Sequence, residues 1–252
     1  MLVFGGFDGA TSRDEVWALT LSGTPTWSLL ATAGGPPHTR DGHVAIYDPD
    51  GDRMIVYGGA DEQYTLYYDV WSLSLSGTPT WSPLTSSGGP PPGPFTATAV
   101  RDGARDRMVV FGGTYEYGSN AEAWSLSLTG PPIWTLLTPA GTPPEFRMAH
   151  AAVADPSHDR MIVVSGFDGG FTYRKDVVAL SYASGGAWST LLEPPPDARI
   201  RHSMIYDSNR DRIVVFGGET FWPGVGRAVC PCRSPGSPTG SGSPPPARRP
   251  AA

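Results

Sequence analysis

Arginine and histidine recur three residues apart at three places in this chain, and both residue types can bind anions. The pairs are Arg40 with His43, Arg147 with His150, and Arg199 with His202. A guanidinium can bind a carboxylate through two parallel hydrogen bonds, so the three pairs could form a cationic ring for an anionic sugar or a carboxylate. The alternative is a structural role in buried hydrogen bonds, because ligand sites are usually unique whereas these pairs recur in step with a repeat.

A second group of candidate residues combines aromatic rings with a carboxylate in short polar segments. Its members are Tyr64, Tyr115, Glu116, Tyr117, Phe171 and Tyr173. Aromatic rings stack on the C–H faces of sugars, and carboxylates accept hydrogen bonds from sugar hydroxyls. The sequence therefore predicts a ligand-binding surface, with a protein or a carbohydrate as the ligand. The alternative is that these segments are solvated loops whose rings fold back onto neighbouring strands.

The sequence predicts no metal site and no cofactor. The histidines occur once per repeat, without a second ligand at a recognisable spacing. Aspartates such as Asp48 and Asp52 lack the spacing of a calcium loop, and we expect them to cap their own turns, with the following arginine as counter-charge. The only cysteines are Cys230 and Cys232, and no nucleophile elbow is present, so no catalytic residue is predicted.

The candidate residues recur together with a repeated sequence motif, an apolar run that ends in Gly-Gly or Ser-Gly. Its copies are Met1–Gly6, Arg53–Gly59, Arg107–Gly113, Arg160–Gly166 and Arg212–Gly218, and their last glycines lie 52 to 54 residues apart. Tryptophans keep the same spacing at Trp27, Trp81, Trp134 and Trp188. A fixed period of this size indicates a repeat architecture.

Each repeat unit contains short apolar or β-branched runs separated by Gly, Pro, Asp and Ser. In the second unit these runs are Gly42–Asp48, Arg53–Tyr57, Val70–Leu75 and Trp81–Leu84. This pattern predicts a meander of antiparallel strands, four per unit, and no segment has the sustained 3.6-residue apolar period of a helix.

The Gly-Gly pair, the later tryptophans and the Arg-x-x-His sequence before the first strand resemble kelch repeats. The resemblance covers Met1 to Gly218. It implies an all-β fold, a kelch-type β-propeller with about four blades of four antiparallel strands. In such a meander the Arg-x-x-His entries and the loops after each Gly-Gly lie on one face. Propellers host many unrelated activities, so the resemblance is specific for fold and not for function.

Both ends of the chain differ from the repeat. Met1 aligns with Met54, inside the second strand of a unit, so the first unit lacks its innermost strand. We therefore predict that residues 1–218 form an incomplete arc of a larger propeller. Residues 219–252 are rich in Pro, Gly, Ser and Arg, and they are predicted to be a disordered tail because they cannot bury enough apolar surface to fold.

Charge and composition exclude some classes of partner. The net charge of −6 and the pI near 5.3 disfavour nucleic acid and anionic membrane surfaces. No run approaches the ~20 apolar residues of a membrane span. Lys175 is the only lysine, and this Lys-poor, Thr/Gly/Pro-rich composition suggests an exported bacterial protein, extracellular or on the cell surface.

The favoured function is a non-catalytic binding module that recognises a protein or a carbohydrate through the loops of one propeller face. The resemblance also implies an alternative, a sugar-isomerising, mutarotase-like kelch enzyme that would use Arg199, His202 and Glu116. A third interpretation is a purely architectural module of a larger exported protein. Copper radical oxidases on kelch-like propellers need a Cys–Tyr crosslink, and the repeat region contains no cysteine.

Overall fold

The computed structural model describes residues 1–115, 118–168, 172–192, 197–220 and 230–233. These residues form β-strands and two short 3-10 turns, Pro156–His158 and Ala183–Gly185. The described part of the chain contains no helix long and apolar enough to cross a membrane. The prediction of an all-β fold is therefore confirmed.

The strands are grouped into five successive antiparallel sheets, which we call blades 1 to 5. Blade 1 contains β1 (Leu2–Phe4), β2 (Val16–Leu19) and β3 (Trp27–Leu29). Blade 2 contains β4 (Val44–Asp48), β5 (Arg53–Tyr57), β6 (Val70–Ser74) and β7 (Thr80–Pro83). Blade 3 contains β8 (Thr98–Asp102), β9 (Arg107–Phe111), β12 (Ala123–Ser127) and β13 (Trp134–Leu137).

The remaining strands complete the arc. A small hairpin, β10 (Thr114–Tyr115) with β11 (Gly118–Ser119), lies in the loop between β9 and β12. Blade 4 contains β14 (Ala151–Asp155), β15 (Arg160–Val164), β16 (Val177–Ser181) and β17 (Ala187–Leu192). Blade 5 contains β18 (Ser203–Asp207), β19 (Arg212–Phe216) and β20 (Cys230–Arg233).

The second strand of each complete blade is apolar on both faces because neighbouring blades cover both sides of the sheet. In β5, every residue after Arg53 is buried. The rings between blades show this packing directly. Trp81 packs on Phe4 with ring centroids 4.9 Å apart, and Trp134 packs on Tyr57 at the same distance. The hydrophobic core therefore lies between blades rather than within one sheet.

The first strands of blades 2 to 5 (β4, β8, β14 and β18) are neighbours in that order. Backbone hydrogen bonds connect their entry segments, from Thr96 N to Gly42 O at 2.8 Å, from Ala149 N to Thr96 O at 3.1 Å, and from Arg201 N to Ala149 O at 2.9 Å. The sheets radiate from this inner line, and the described sheets do not close into a ring. This arrangement confirms the kelch-type, open propeller fold predicted from the sequence.

Strand β20 falls inside the segment that the sequence predicts to be a disordered tail. The structure differs there, because Cys230–Arg233 pairs with β19. Pairing with β19 gives the backbone groups of this segment hydrogen-bond partners, which the segment would lack if it stood alone. Residues 221–229 and 234–252 lie outside the described residues. The domain boundary after Gly218 stays a prediction.

Candidate functional site: the loop face

The described candidate residues belong to one face of the arc, which we call the loop face. It carries the segments that precede β4, β8, β14 and β18, and the loops that follow the Gly-Gly or Ser-Gly pairs. The antiparallel meander places these segments together, because each first strand begins at the end where the second strand finishes.

Arg40 is fully buried at the entry to blade 2. Its Nη1 donates to the Gly58 carbonyl at 2.8 Å and to Asp69 Oδ1 at 2.7 Å, and its Nη2 donates to Asp69 Oδ2 at 3.0 Å. The guanidinium also lies 4.5 Å from the centroid of the Tyr67 ring. Arg40 thus joins the entry segment to the end of β5 and to the residue before β6. We call this arrangement the arginine clamp.

Arg147 forms the same clamp in blade 4. It is fully buried, and it donates to the Ser165 carbonyl at 3.0 Å and to both Asp176 oxygens at 2.7 Å. Arg199 is buried in blade 5 and donates to the carbonyls of Gly217 and Asp197. In the described residues it has no carboxylate partner. The structure therefore places the three arginines in separate blades, each inside its own hydrogen-bond network.

The three histidines are also withdrawn from solvent. Desolvation lowers the pKa of His43 to about 4, with a smaller effect of the Arg40 charge. Desolvation, then the charges of Arg147 and His202, lower the pKa of His150 to about 3. The pKa of His202 falls to about 4 through desolvation and the charge of Arg199. These rings are neutral near pH 7, so they add no positive charge to the loop face.

Two of the histidine rings pack against the preceding blade, and the third is buried. The His43 ring packs edge-on against Phe4, and the His150 ring packs likewise against Phe111. His150 Nε2 lies 2.8 Å from Thr98 Oγ1. His202 is buried, and neither of its ring nitrogens has a hydrogen-bond partner among the described residues.

Carboxylates in the surface loops are hydrogen-bonded within those loops. Asp8 accepts from the backbone N–H of Ala10 and Thr11, at 2.8 and 2.9 Å. These bonds lower the pKa of Asp8 to about 2. Asp61 accepts from the backbone N–H groups of Gln63 and Thr65. The loops are therefore closed by their own acidic side chains.

Aromatic side chains remain exposed on the loop face. Tyr64 is 77% exposed and Phe7 is 54% exposed. Tyr64 also makes an edge-on contact with Phe95 of the next blade, at 6.4 Å between ring centroids. Phe146 and Tyr68 are 42% and 40% exposed. Among the described residues, these four exposed rings give the loop face apolar groups that a partner could contact.

The other predicted aromatic residues have different environments. Tyr115 is half-buried in the β10–β11 hairpin. Tyr173 is half-buried and packs on Phe167, with ring centroids 5.2 Å apart. Glu116, Tyr117 and Phe171 lie outside the described residues. The predicted ligand role of this whole group, and of the Arg-x-x-His pairs, stays a prediction.

Sequence reasoning missed several residues of this face. It did not identify Asp69 and Asp176 as the clamp carboxylates, although an acidic residue directly before the third strand of each complete repeat was the available signal. It also missed Tyr68 and Phe146. No sequence pattern marks these two rings as exposed, because they flank the clamp residues Asp69 and Arg147 at positions whose residues differ from one repeat to the next.

Among the described residues, the opposite face carries two groups of side chains that could bind a metal ion, and in each group the potential donor atoms lie within 4.8 Å of one another. One contains Asp48, Asp50 and Asp106, and the other contains Asp155, His158 and Asp211. Arginines already contact both groups. Arg101 Nη2 lies 2.8 Å from Asp106 and also binds Asp50, and Arg160 Nε lies 2.8 Å from Asp155. Positive charge is thus supplied by the protein itself.

Residues 1–218 match the family model described as the KLHDC2/KLHL20/DRC7 Kelch-repeats domain. The chain is 29% identical over 233 residues to Adagio-like protein 3 of Oryza sativa subsp. japonica, covering 87% of this chain and 36% of that protein. It is 30% identical over 201 residues to acyl-CoA-binding domain-containing protein 5 of Arabidopsis thaliana, covering 77% of this chain and 29% of that protein. The chain therefore spans only about a third of the length of these relatives.

A solved structure, that of YjhT, shares the fold. The two structures superpose with a TM-score of 0.65 at 18% sequence identity, and the match covers 86% of this chain and 72% of YjhT. This identity is low, so the likeness concerns the fold alone. The family match covers every repeat from Met1 to Gly218, and it agrees with the succession of antiparallel sheets. The chain belongs to the kelch-repeat family.

Proposed function

We propose that this kelch-repeat domain is a non-catalytic interaction module that binds a protein partner through the loop face. The observation that carries the proposal is the exposure of four aromatic rings on this face, Tyr64, Phe7, Phe146 and Tyr68, of which Tyr64 and Phe7 lie on loops closed by internal hydrogen bonds. Aromatic side chains dominate the binding energy of protein interfaces.

The closed loops favour binding because little conformational freedom remains to be lost. Asp8 and Asp61 fix their loops by accepting backbone N–H groups. Association costs free energy for every segment that it orders, so preformed loops keep more of the contact energy. Tyr64 is anchored further by its contact with Phe95. Such loops present their rings in one arrangement.

The same geometry favours a protein over a carbohydrate as the partner. Sugar recognition would need carboxylates free to accept hydroxyl groups, and Asp8 and Asp61 are engaged within their loops. An anionic ligand would need the arginines, yet Arg40 and Arg147 are fully buried in their clamps. Flat aromatic anchors with few free charges suit the apolar centre of a protein interface.

The enzyme alternative receives no support from a specific contact. Arg199 and His202 are both buried, and Glu116 lies outside the described residues. A general base must reach the proton that it abstracts, and the His202 ring is buried with no hydrogen-bond partner among the described residues. The architectural alternative predicts no ligand at all, and the experiment below distinguishes it.

The test starts from binders selected against the immobilised domain from a displayed peptide library, with a glycan array screened in parallel. We expect protein ligands whose Kd rises at least about tenfold for Tyr64→Ser and for Phe146→Ser, a loss of about 1.4 kcal/mol each. The melting temperature should not change, because both side chains are exposed.

Ile133→Ser is the matched control, because Ile133 is 47% exposed directly before the outer strand β13, at the end opposite the loop face. It should leave the Kd unchanged. Peptide binding that survives the combined Tyr64→Ser and Phe146→Ser change contradicts the proposal. Hits confined to the glycan array would assign a carbohydrate, and the absence of any ligand would favour the architectural role.

A further inference from the structure

A cleft of about 240 Å3, which we call the blade 3/4 cleft, lies between blades 3 and 4 beside the hairpin that joins β8 to β9. This hairpin belongs to the face opposite the loop face, so the cleft is separate from the proposed interaction surface. The lining includes three apolar residues, Leu137, Pro139 and Leu180, and three polar ones, Arg105, Arg107 and Tyr182. Pockets for drug-sized molecules span ~300–1,000 Å3, so this cleft suits a smaller ligand.

Arg107 brings hydrogen-bond donors without acceptors to this cleft. Its Nε donates to Asp102 Oδ2 at 2.8 Å. Among the described residues, neither of its Nη atoms has an acceptor. The equivalent residue of blade 2, Arg53, also binds an aspartate of its own blade through Nε, but its Nη2 donates to the Leu128 carbonyl of blade 3 at 2.7 Å. The outer edge of the guanidinium is therefore open in Arg107 and bonded in Arg53.

Two residues of the cleft account for this difference. Tyr182 occupies a position that leucine holds in the equivalent turns of blades 1 to 3. Its carbonyl accepts from Arg105 Nη2 at 3.2 Å, and not from Arg107. Blade 2 has Gly51 at the position of Arg105, so no second arginine competes there. Arg105 thus takes the carbonyl that Arg107 would otherwise bind.

The aspartates beside the cleft are already paired. Arg105 donates to both oxygens of Asp159, at 2.7 and 2.8 Å, and Asp102 is bound by the Nε of Arg107. Neither aspartate reaches the outer edge of the Arg107 guanidinium. A carboxylate from a ligand can accept two parallel N–H bonds from such an edge.

The Tyr182 hydroxyl is a further donor without a partner. The residue is 8% exposed, and its hydroxyl has no hydrogen-bond partner among the described residues. The guanidinium carbons of Arg107 and Arg105 lie 5.1 and 5.5 Å from the centroid of its ring. Burial raises the pKa of Tyr182, so the hydroxyl keeps its proton near neutral pH. A buried hydroxyl without a partner is destabilising, and a ligand oxygen would remove that cost.

We propose that the blade 3/4 cleft binds a small monocarboxylate with an apolar body. The carboxylate accepts from both Nη atoms of Arg107, and one of its oxygens also accepts from the Tyr182 hydroxyl. The apolar body lies against Leu137, Pro139 and Leu180. An arginine with an open edge beside a buried tyrosine occurs once among the described blades, as ligand sites usually do, whereas the arginine clamps recur.

The probe is phenylacetate, which joins a carboxylate to a compact apolar ring. A saturation-transfer NMR titration against the full chain should show saturable binding with a Kd of roughly 1–10 mM, as expected for about ten non-hydrogen atoms. The neutral analogue phenylacetamide should bind at least about fivefold more weakly, because it cannot form the charged pair. Equal binding of the two compounds, or no binding of phenylacetate at ~20 mM, overturns the proposal.

Two variants test the two donors separately. Arg107→Lys keeps a positive charge beside Asp102 and removes the pair of parallel donors, so the Kd should rise at least about fivefold. Tyr182→Phe removes only the hydroxyl, and the Kd should rise about threefold. Its melting temperature should not fall, because the hydroxyl has no partner to lose. An unchanged Kd in either variant overturns the proposal.

Arg53→Lys is the matched control, because it makes the same change where the outer edge is already bonded to the Leu128 carbonyl. It should leave the Kd unchanged. In a chain labelled with nitrogen-15 arginine, the side-chain signal that disappears in Arg107→Lys identifies Arg107. Phenylacetate should shift this signal and leave that of Arg53 in place. A shift confined to other arginines would put the ligand elsewhere and overturn the proposal.

Discussion

Blades 3 and 4 hold their entry segments in place with different side chains. In blade 4 the entry segment is held by Arg147, a fully buried cation bonded to the Ser165 carbonyl and to Asp176. In blade 3 the equivalent position is Pro94, which has no side-chain donor. Asn120 replaces the clamp there: its Nδ2 donates to the Pro92 carbonyl at 2.7 Å, and its Oδ1 accepts the Glu122 N–H at 2.7 Å.

The two blades share one link between segments, although different side chains form it. Both blades join the entry segment to the chain just before the third strand, and both do so with a buried polar side chain. One link is ionic and the other is a neutral amide. The shared requirement is that buried polar groups are paired, and it can be met without an arginine. This supports a structural role for the repeated arginines.

The largest effect is expected from breaking the ionic link. Arg147→Ala should lower the free energy of unfolding by about 3–5 kcal/mol, because it leaves the Asp176 charge and a buried carbonyl unpaired. Asn120→Ala in blade 3 should cost less, about 1–2 kcal/mol, since only neutral groups lose partners. Urea unfolding followed by tryptophan fluorescence measures both.

Arg201→Ala is the control for the loss of a positive charge on the same face. Its ion pair with Glu219 is exposed on both sides, with side chains 68% and 62% exposed. Such pairs contribute less than about 1 kcal/mol. If Arg147→Ala destabilised the protein no more than this control, the clamp would not be structural, and the ring of ligand-binding arginines would again be the better interpretation.

The pH dependence of stability sharpens the comparison, because blade 4 carries His150 where blade 3 carries Ala97. Burial and the charges of Arg147 and His202 lower the folded-state pKa of His150 to about 3, from an ordinary value of 6.5. The unfolded chain therefore binds more protons between these values. The contribution of His150 to the free energy of unfolding is fully present above pH 6.5. It is lost with decreasing pH, by about 1.4 kcal/mol per unit for each such histidine.

The variant His150→Ala copies blade 3 at this position. Between pH 6 and pH 4, we expect the slope of the unfolding free energy against pH to fall by the contribution of one histidine, about 1.4 kcal/mol per pH unit. His43 and His202 keep their own contributions to this slope. Urea titrations at several pH values give this slope. An unchanged slope in His150→Ala would mean that His150 is charged in the folded protein.

The strands were predictable because they depend on local pattern. The predicted Arg53–Tyr57 matches β5 at both ends, and Val70–Leu75 extends β6 by one residue. Period-two alternation and Gly-Gly punctuation act over a few residues, and the fixed period repeats the evidence in every blade. The face that carries each loop followed from the meander alone.

The contents of the candidate site were less predictable because they depend on contacts distant in sequence. Arg40 and Asp69 are 29 residues apart, and nothing near Arg40 shows that its charge is already paired. Carboxylates of the surface loops are likewise already engaged: Asp61 Oδ1 accepts N–H groups of its own loop, and its Oδ2 accepts the Tyr67 hydroxyl. Residue type indicates what a side chain can bind, and only the fold decides whether a partner within the chain binds it first.

The smallest expected effect concerns the backbone at the entry to blade 4. Ala149 has φ +53°, and its equivalent in blade 2 is Gly42 with φ +60°. An L-residue in this left-handed region costs about 1–2 kcal/mol, while glycine costs about 0.4–1 kcal/mol through the entropy of the unfolded chain. Ala149→Gly should therefore stabilise the protein by about 0.5 kcal/mol in urea unfolding.

Gly42→Ala should destabilise it clearly, because its new methyl group would lie 2.3 Å from the Phe95 ring. A loss of stability in Ala149→Gly would show that the alanine methyl group packs in a way that outweighs its backbone strain, and that blades 2 and 4 differ at their entries in more than residue type.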